Sequence, residues 1–309
     1  AGMQRCAKGG ACKARAAGGI CPRPTTDAGM TLPSLDDFLT RQPKVLARGP
    51  VALILAEDGA ELGPTVAHHL RAGFRSVVLC LPDGVAAPGA ADGLHAVRFD
   101  TRAEGAAVRA VNRMIGACPP STWLYWGYNA EYLFHPFCET RTVREMIAFH
   151  AEERRDAMLA YVLDLYPAER DGFPARIDRE GAMLDAAGYY AQARAGDGGP
   201  KERQLDIFGG FGWRFRGHLP PAGRRIDPTS LFPGQKGLRM RDDHTFSIEE
   251  YNTYACPWHN NLTAAVMSFR RAKALDGVAG SFVWERSLRF DWTSRQLLEL
   301  GMIEPGQWF

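Results

Sequence analysis

Two apolar runs of strand length, Val51–Ala56 and Ser76–Leu81, stand one helix apart and restrict this chain to few architectures. Gly49-Pro50 and Glu57-Asp58-Gly59 bound the first run, and Pro82-Asp83-Gly84 closes the second. Strands without polar alternation are buried on both faces, so helices must cover the sheet above and below. Between the runs, Val66, Ala67 and Leu70 recur at helical spacing within Pro64–Leu70, and Gly73 stands where a helix ends. Residues 51–81 thus form one β-α-β unit, about the 30 residues such a crossover needs.

The pattern continues with a short strand at Val97–Phe99, a helix at Ala103–Ile115 and a fourth strand at Trp123–Trp126. Such alternation predicts an α/β fold, a mostly parallel sheet flanked by helices. Thr142 and Glu145 form a capping box, and Val143, Met146, Ile147, Ala157, Met158, Tyr161, Val162 and Leu165 extend a 3.6-residue stripe. The spacing predicts one long helix over Thr142–Tyr166, stopped by Pro167. The second half reads as loop-rich, with Gly/Pro-rich loops in 194–237 around the aromatic segment Phe208–Phe215. A helix at Asn261–Leu275, a strand at Ser281–Phe290 and a helix at Ser294–Leu300 complete the expectation.

An apolar share of 46% and a charged share of 23% are ordinary for a globular chain and exclude disorder over most of its 309 residues. No apolar run approaches the roughly 18 residues of a membrane helix, so a soluble protein without a transmembrane segment is expected. The net charge of +2 argues against a nucleic-acid partner. Residues 1–29 hold five basic side chains, one acid and few large apolar ones, and read as a disordered extension before a natural start at Met30. Cys6, Cys12 and Cys21 lack the paired spacing of a zinc site. The remaining cysteines are scattered, which fits free thiols in a reducing cytoplasm. Residues 30–309 read as a single domain.

In an open parallel sheet, ligands bind beyond the carboxyl ends of the strands. Here those ends carry Glu57 and Asp58, then Asp83, then Tyr128, Asn129 and Glu131. Acids at such a rim suit a hydroxyl-rich ligand, the ribose of a nucleotide or an oxygen-liganded cation. An Asp before Gly equally suits turn capping.

The stretch Ala56-Glu57-Asp58-Gly59-Ala60-Glu61-Leu62, through His68-His69 to Gly73-Phe74, resembles the opening of bacterial family 2-type glycosyltransferases, in the branch near family 92. Asp58 stands in place of the family's Glu, while Gly59, Leu62 and His69 match. Asp83 alone survives of the motif after the second strand. Tyr128-Asn129-Ala130-Glu131-Tyr132-Leu133 stands where Asp-x-Asp-Glu-Phe-Leu is expected. The resemblance implies a GT-A fold, with a nucleotide-binding half at about 45–166 and an acceptor-side half at about 167–309, and hexosyl transfer from a nucleotide-sugar to an acceptor hydroxyl. Glu57, Asp58, Asp83, Tyr128, Asn129 and Glu131 would then surround the donor. Mn or Mg belongs to that family, but Tyr128 and Ala130 replace both metal-binding aspartates, so no metal ligand is assigned here. An inactive relative serving as a binding or scaffold protein is the alternative. An oxidoreductase is disfavoured because no Gly-x-Gly-x-x-Gly follows the first strand.

A transferase also needs a base near the acceptor hydroxyl. Arg239-Met240-Arg241-Asp242-Asp243-His244-Thr245 concentrates carboxylates, an imidazole and arginines, with Asp243 and His244 as the candidate catalytic pair. Trp213, in a glycine-rich aromatic segment, and Trp258 with His259 are candidates for the acceptor side. His150, on the predicted long helix, lacks metal-ligand spacing and reads as structural.

Overall fold

A computed structural model describes residues 31–168, 175, 177–186, 188–219, 225–226, 228–254, 262–275 and 282–308. The expected extension at 1–29 lies outside them. In chain order the elements begin with α1 (Leu35–Arg41), α2 (Pro43–Leu46), β1 (Val51–Leu55), α3 (Leu62–Ala72), β2 (Ser76–Leu81), β3 (Leu94–Arg98), α4 (Ala106–Ala117), β4 (Trp123–Tyr128), β5 (Glu131–Phe134) and α5 (Val143–Glu152). They continue with β6 (Met158–Pro167), β7 (Ala182–Asp185), β8 (Tyr189–Gly196), β9 (Gly199–Gly209), α6 (Gly210–Arg214), β10 (Arg225–Ile226), β11 (Thr229–Pro233), β12 (Ala264–Ser268), α7 (Arg270–Ala274), β13 (Ser287–Arg289) and α8 (Ser294–Glu299).

The strand residues of the first half divide between two apolar layers. Val51, Leu53, Leu55, Val78 and Cys80 pack with Leu35, Phe38 and Val111 of α1 and α4. Ala52, Ile54, Val77 and Leu79 pack with Leu62, Val66, Val143 and Met146 of α3 and α5. Helices therefore cover both faces, as the uninterrupted apolar runs require. The sheet runs β13-β7-β6-β11-β4-β1-β2-β3, with β12 pairing β5 and β6. Strands β1 to β4 are mutually parallel, β11 enters antiparallel between β4 and β6, and β12 runs parallel to β6. This is a mixed α/β fold around a mostly parallel central sheet.

From Thr142 onward the chain departs from the sequence expectation in four places. The helix expected over Thr142–Tyr166 ends at Glu152, where Arg154 takes a φ of 55°, and 158–167 is strand β6. A strand buried on both faces has no period of its own, so its apolar residues also satisfy a helical template. Ala264–Ser268, placed within the helix expected over Asn261–Leu275, is instead β12, hydrogen-bonded between β5 and β6; among the described residues of that range only Arg270–Ala274 is helical. Alanine's helix propensity yields there to pairing on two sides. Of the strand expected at Ser281–Phe290, only Ser287–Arg289 pairs among the described residues, against β7.

Much of the supposed loop region is a second sheet, β10-β9-β8, whose β8 and β9 meet at Gly196 and Gly199. The connecting Asp197-Gly198 is a strong two-residue hairpin signal. Among the described residues no helix is long and apolar enough to cross a membrane.

Candidate functional site

Strand β1 has β2 on one side and β4 on the other, so the chain reverses its direction of winding between them. A crevice forms beyond the carboxyl ends at such a switch point, because the connections leave in opposite directions. The segments that reach it are Ala56-Glu57-Asp58 after β1 and the Asn129-Ala130 turn between β4 and β5.

Asn129 joins the two tips. Its Oδ1 accepts the Glu57 amide at 2.9 Å, and its Nδ2 donates to Asp58 Oδ1 at 2.7 Å and to the Ala60 carbonyl at 2.8 Å. Asn129 is fully buried, so these bonds satisfy a side chain that would be costly to leave unpaired. Asp58 Oδ1 also accepts the Ala60 amide at 2.9 Å, the turn-capping role open to it from sequence. Its other oxygen takes Lys273 Nζ at 3.0 Å. Burial pushes the Asp58 carboxyl upward, but Lys273, the Ala60 amide and Asn129 outweigh it and hold the pKa below its usual value.

The β4–β5 turn is pinned from below by Glu131, which is 3% exposed. Its two oxygens accept the Tyr128 amide at 2.8 Å and the Ser268 hydroxyl at 2.9 Å. Burial raises its pKa, against the opposing pull of Arg270 and of these two donors. Ala130 holds a φ of 62°, its amide donating to Thr65 Oγ1 at 2.9 Å and its carbonyl accepting the Phe269 amide at 3.0 Å. The Phe269 bond fastens the start of α7 to the turn, and the Thr65 bond fastens α3 to it.

Helix α7 then delivers three cations. Arg270 places Nε and Nη2 each 2.7 Å from Glu57 Oε1, and its guanidinium lies over the Tyr128 ring at 3.5 Å from the centroid. Lys273 lies 3.6 Å from Glu57 Oε2, in addition to its bond with Asp58. Arg271 turns the other way, 3.1 Å from Asp164 Oδ2 at β6, an oxygen that also accepts the Phe211 amide at 3.0 Å. From the loop after β3, the exposed Arg102 donates Nε to the Glu57 carbonyl at 3.0 Å, and Thr101 donates its hydroxyl to the Ala56 carbonyl. Sequence reasoning missed these cations. The one available signal was the i, i+3 spacing of Arg270 and Lys273, which puts them on one helix face.

The structure brings together Glu57, Asp58, Tyr128, Asn129 and Glu131. Asp83 is exposed in the turn after β2, and its carboxylate has no hydrogen bond or ion pair among the described residues. Asp243 and His244 lie in the loop after β11. Asp243 Oδ1 accepts the Thr245 hydroxyl at 2.6 Å and the Thr245 amide at 3.0 Å, and Arg194 lies 3.3 Å from Oδ2. Burial alone would raise its pKa; the Thr245 donors and then the Arg194 and Arg225 charges reverse that and lower it. A carboxylate so stabilised is a weak base near neutrality. The His244 ring meets Trp126 edge-on at 5.3 Å, and Trp126 meets Tyr128 at 5.9 Å. Trp213 is 41% exposed beside Tyr190 at 46%, their rings 5.8 Å apart, with Phe208 stacked on Tyr190 at 5.4 Å. Trp258 and His259 lie outside the described residues.

Comparison with protein-family models finds no match for this chain, and comparison with curated proteins finds none either.

The residues present do not fit a divalent cation. Among the described residues no three His, Cys, Asp or Glu side chains converge as ligands. Glu57 and Asp58 are instead bridged by a guanidinium and an ammonium, which would repel such an ion.

Proposed function

We propose that this chain is a glycosyltransferase-like protein of GT-A type that takes a nucleotide-sugar in the crevice above β1 and β4. The observation that carries the reading is the Asn129 bridge, which fuses both tips at the switch point into one rigid polar floor. The resemblance of residues 56–74 and 128–133 to family 2-type transferases supports it. In this reading the acceptor hydroxyl attacks the anomeric carbon, the bond from that carbon to phosphate oxygen breaks, and the nucleoside diphosphate leaves. His244 takes the hydroxyl proton, since Asp243 is already engaged by Thr245 and Arg194. The exposed pair Tyr190 and Trp213 offers an aromatic surface for an acceptor sugar.

The second reading, a binding protein descended from such an enzyme, is favoured by one observation. Both carboxylates of the first tip are paired internally by Arg270 and Lys273. Titration calorimetry with UDP- and GDP-sugars, paired with a donor-hydrolysis assay, separates the two. Saturable binding with release of nucleoside diphosphate that His244→Gln abolishes supports the enzyme. Binding without turnover supports the second reading, and no binding at millimolar ligand removes both.

A further inference from the structure

The misfit to a divalent cation has a positive counterpart. Resting on the nucleotide-sugar reading above, we infer that Arg270, Lys273 and Arg102 supply the positive charge for a diphosphate group in this crevice, so that binding needs no metal.

Three observations carry it. First, the three cations come from two separate segments and converge on two adjacent residues, Glu57 and Asp58. The two arising from α7 reach across more than two hundred residues of chain, 213 between Arg270 and Glu57 and 215 between Lys273 and Asp58. Second, Lys273 is held more firmly than the carboxylates it touches. The Lys273 side chain is 7% exposed, whereas that of Asp58 is 43% and that of Glu57 31% exposed. Arg270 is laid flat on Tyr128, a geometry in which a guanidinium keeps its orientation while exchanging partners. The Glu57 carboxylate, which bonds only these cations among the described residues, can therefore turn to water and leave them in place for an incoming anion, while Asn129 and the Ala60 amide keep Asp58 in its turn. Third, donors remain. Arg270 uses Nε and Nη2 on Glu57 and leaves Nη1 without a hydrogen bond among the described residues. Arg102 uses only Nε, and its guanidinium is exposed at the rim.

Glu57, Asp58 and Glu131 offset Arg270, Lys273 and Arg102, and Glu131 is satisfied from beneath by Tyr128 and Ser268. A diphosphate that displaces the Glu57 carboxylate exchanges it for phosphate oxygens of equal or greater charge, through the charge-assisted bonds that arginine favours.

The test is calorimetric titration of the full chain with inorganic pyrophosphate, UDP and GDP, in EDTA and again with Mn²⁺. The expected result is one dissociation constant unchanged by EDTA. Lys273→Gln and Arg102→Gln should each weaken it about ten-fold or more. Arg102 is exposed, so its variant stays informative should the Lys273 variant fail to fold, and circular dichroism checks both. Binding that requires Mn²⁺ overturns this inference and leaves the nucleotide-sugar reading standing. Binding in EDTA that neither variant weakens overturns the assignment of the cations. Absence of binding under both conditions removes the reading itself, and this inference with it.

Discussion

At the scale of single residues, the tightest point of the site is Gly127, the last residue of β4 before Tyr128. A methyl group there would sit 2.7 Å from the Tyr125 hydroxyl and 3.2 Å from Glu131 Oε2. Tyr125 is fully buried, and its hydroxyl has no hydrogen-bond partner among the described residues. Gly127→Ala should destabilise by about 1–3 kcal/mol, as overpacked cores do. Tyr125→Phe should be neutral or stabilising, because it deletes a buried unpaired hydroxyl, and it should rescue part of the Gly127→Ala loss. Urea unfolding of both single variants and the double variant gives the coupling; strict additivity would refute the contact. At this scale the sequence was informative about Asp58, which caps its own turn as Asp before Gly suggests; its ligand-facing role belongs to the proposal. Arg270 and Lys273 were not legible, because nothing local marks a cation whose partner lies more than two hundred residues away.

At the scale of elements, two helices end on glycines with positive φ, and they differ in one respect. Gly73 closes α3 at a φ of 104°, and an added methyl would stand 2.9 Å from Thr142 Cβ at the capping box of α5. Gly301 follows α8 at a φ of 67°, with nothing within 4 Å. Gly301→Ala should therefore cost only backbone strain, about 1 kcal/mol, and Gly73→Ala about 1–3 kcal/mol more, since it separates the α3 and α5 ends that share one apolar layer. Equal losses in chemical denaturation would show that the two ends do not meet. The first half of the fold was legible element by element, as uninterrupted apolar runs, breakers and a capping box agree there. Strands β6 and β12 were not, because Met158–Pro167 is apolar but for Asp164 and Ala264–Ser268 is alanine-rich. Only the partners on both sides of such segments make them strands.

For the whole molecule, the buried histidines set the response to acid. Burial lowers His68 to about 3 and His69, His135 and His150 to about 4, from an ordinary 6.5. The native state leaves these rings neutral while the unfolded chain takes up protons. Their contribution is therefore complete above pH 6.5 and is lost as pH falls toward 4, with a slope of about 1.4 kcal/mol per pH unit for each ring. Thermal midpoints should hold from pH 8 to 7 and fall between 6.5 and 4, ahead of the carboxylates. His150→Phe, which replaces a ring lodged near Trp123 and Phe149, should flatten part of that fall. A midpoint constant down to pH 4.5 would contradict it. The chain's own sequence determined the β-α-β core and the polar tips at Glu57–Asp58 and Tyr128–Glu131, because apolar runs and turn breakers act over a few residues. Only the tertiary structure decided that Asn129 locks those tips together, that Asp83 stands apart, and that α7 brings cations to where carboxylate ligands were expected. Those outcomes depend on strand order and on β12 seating itself between β5 and β6, and pairing across such distances leaves no local periodicity to read.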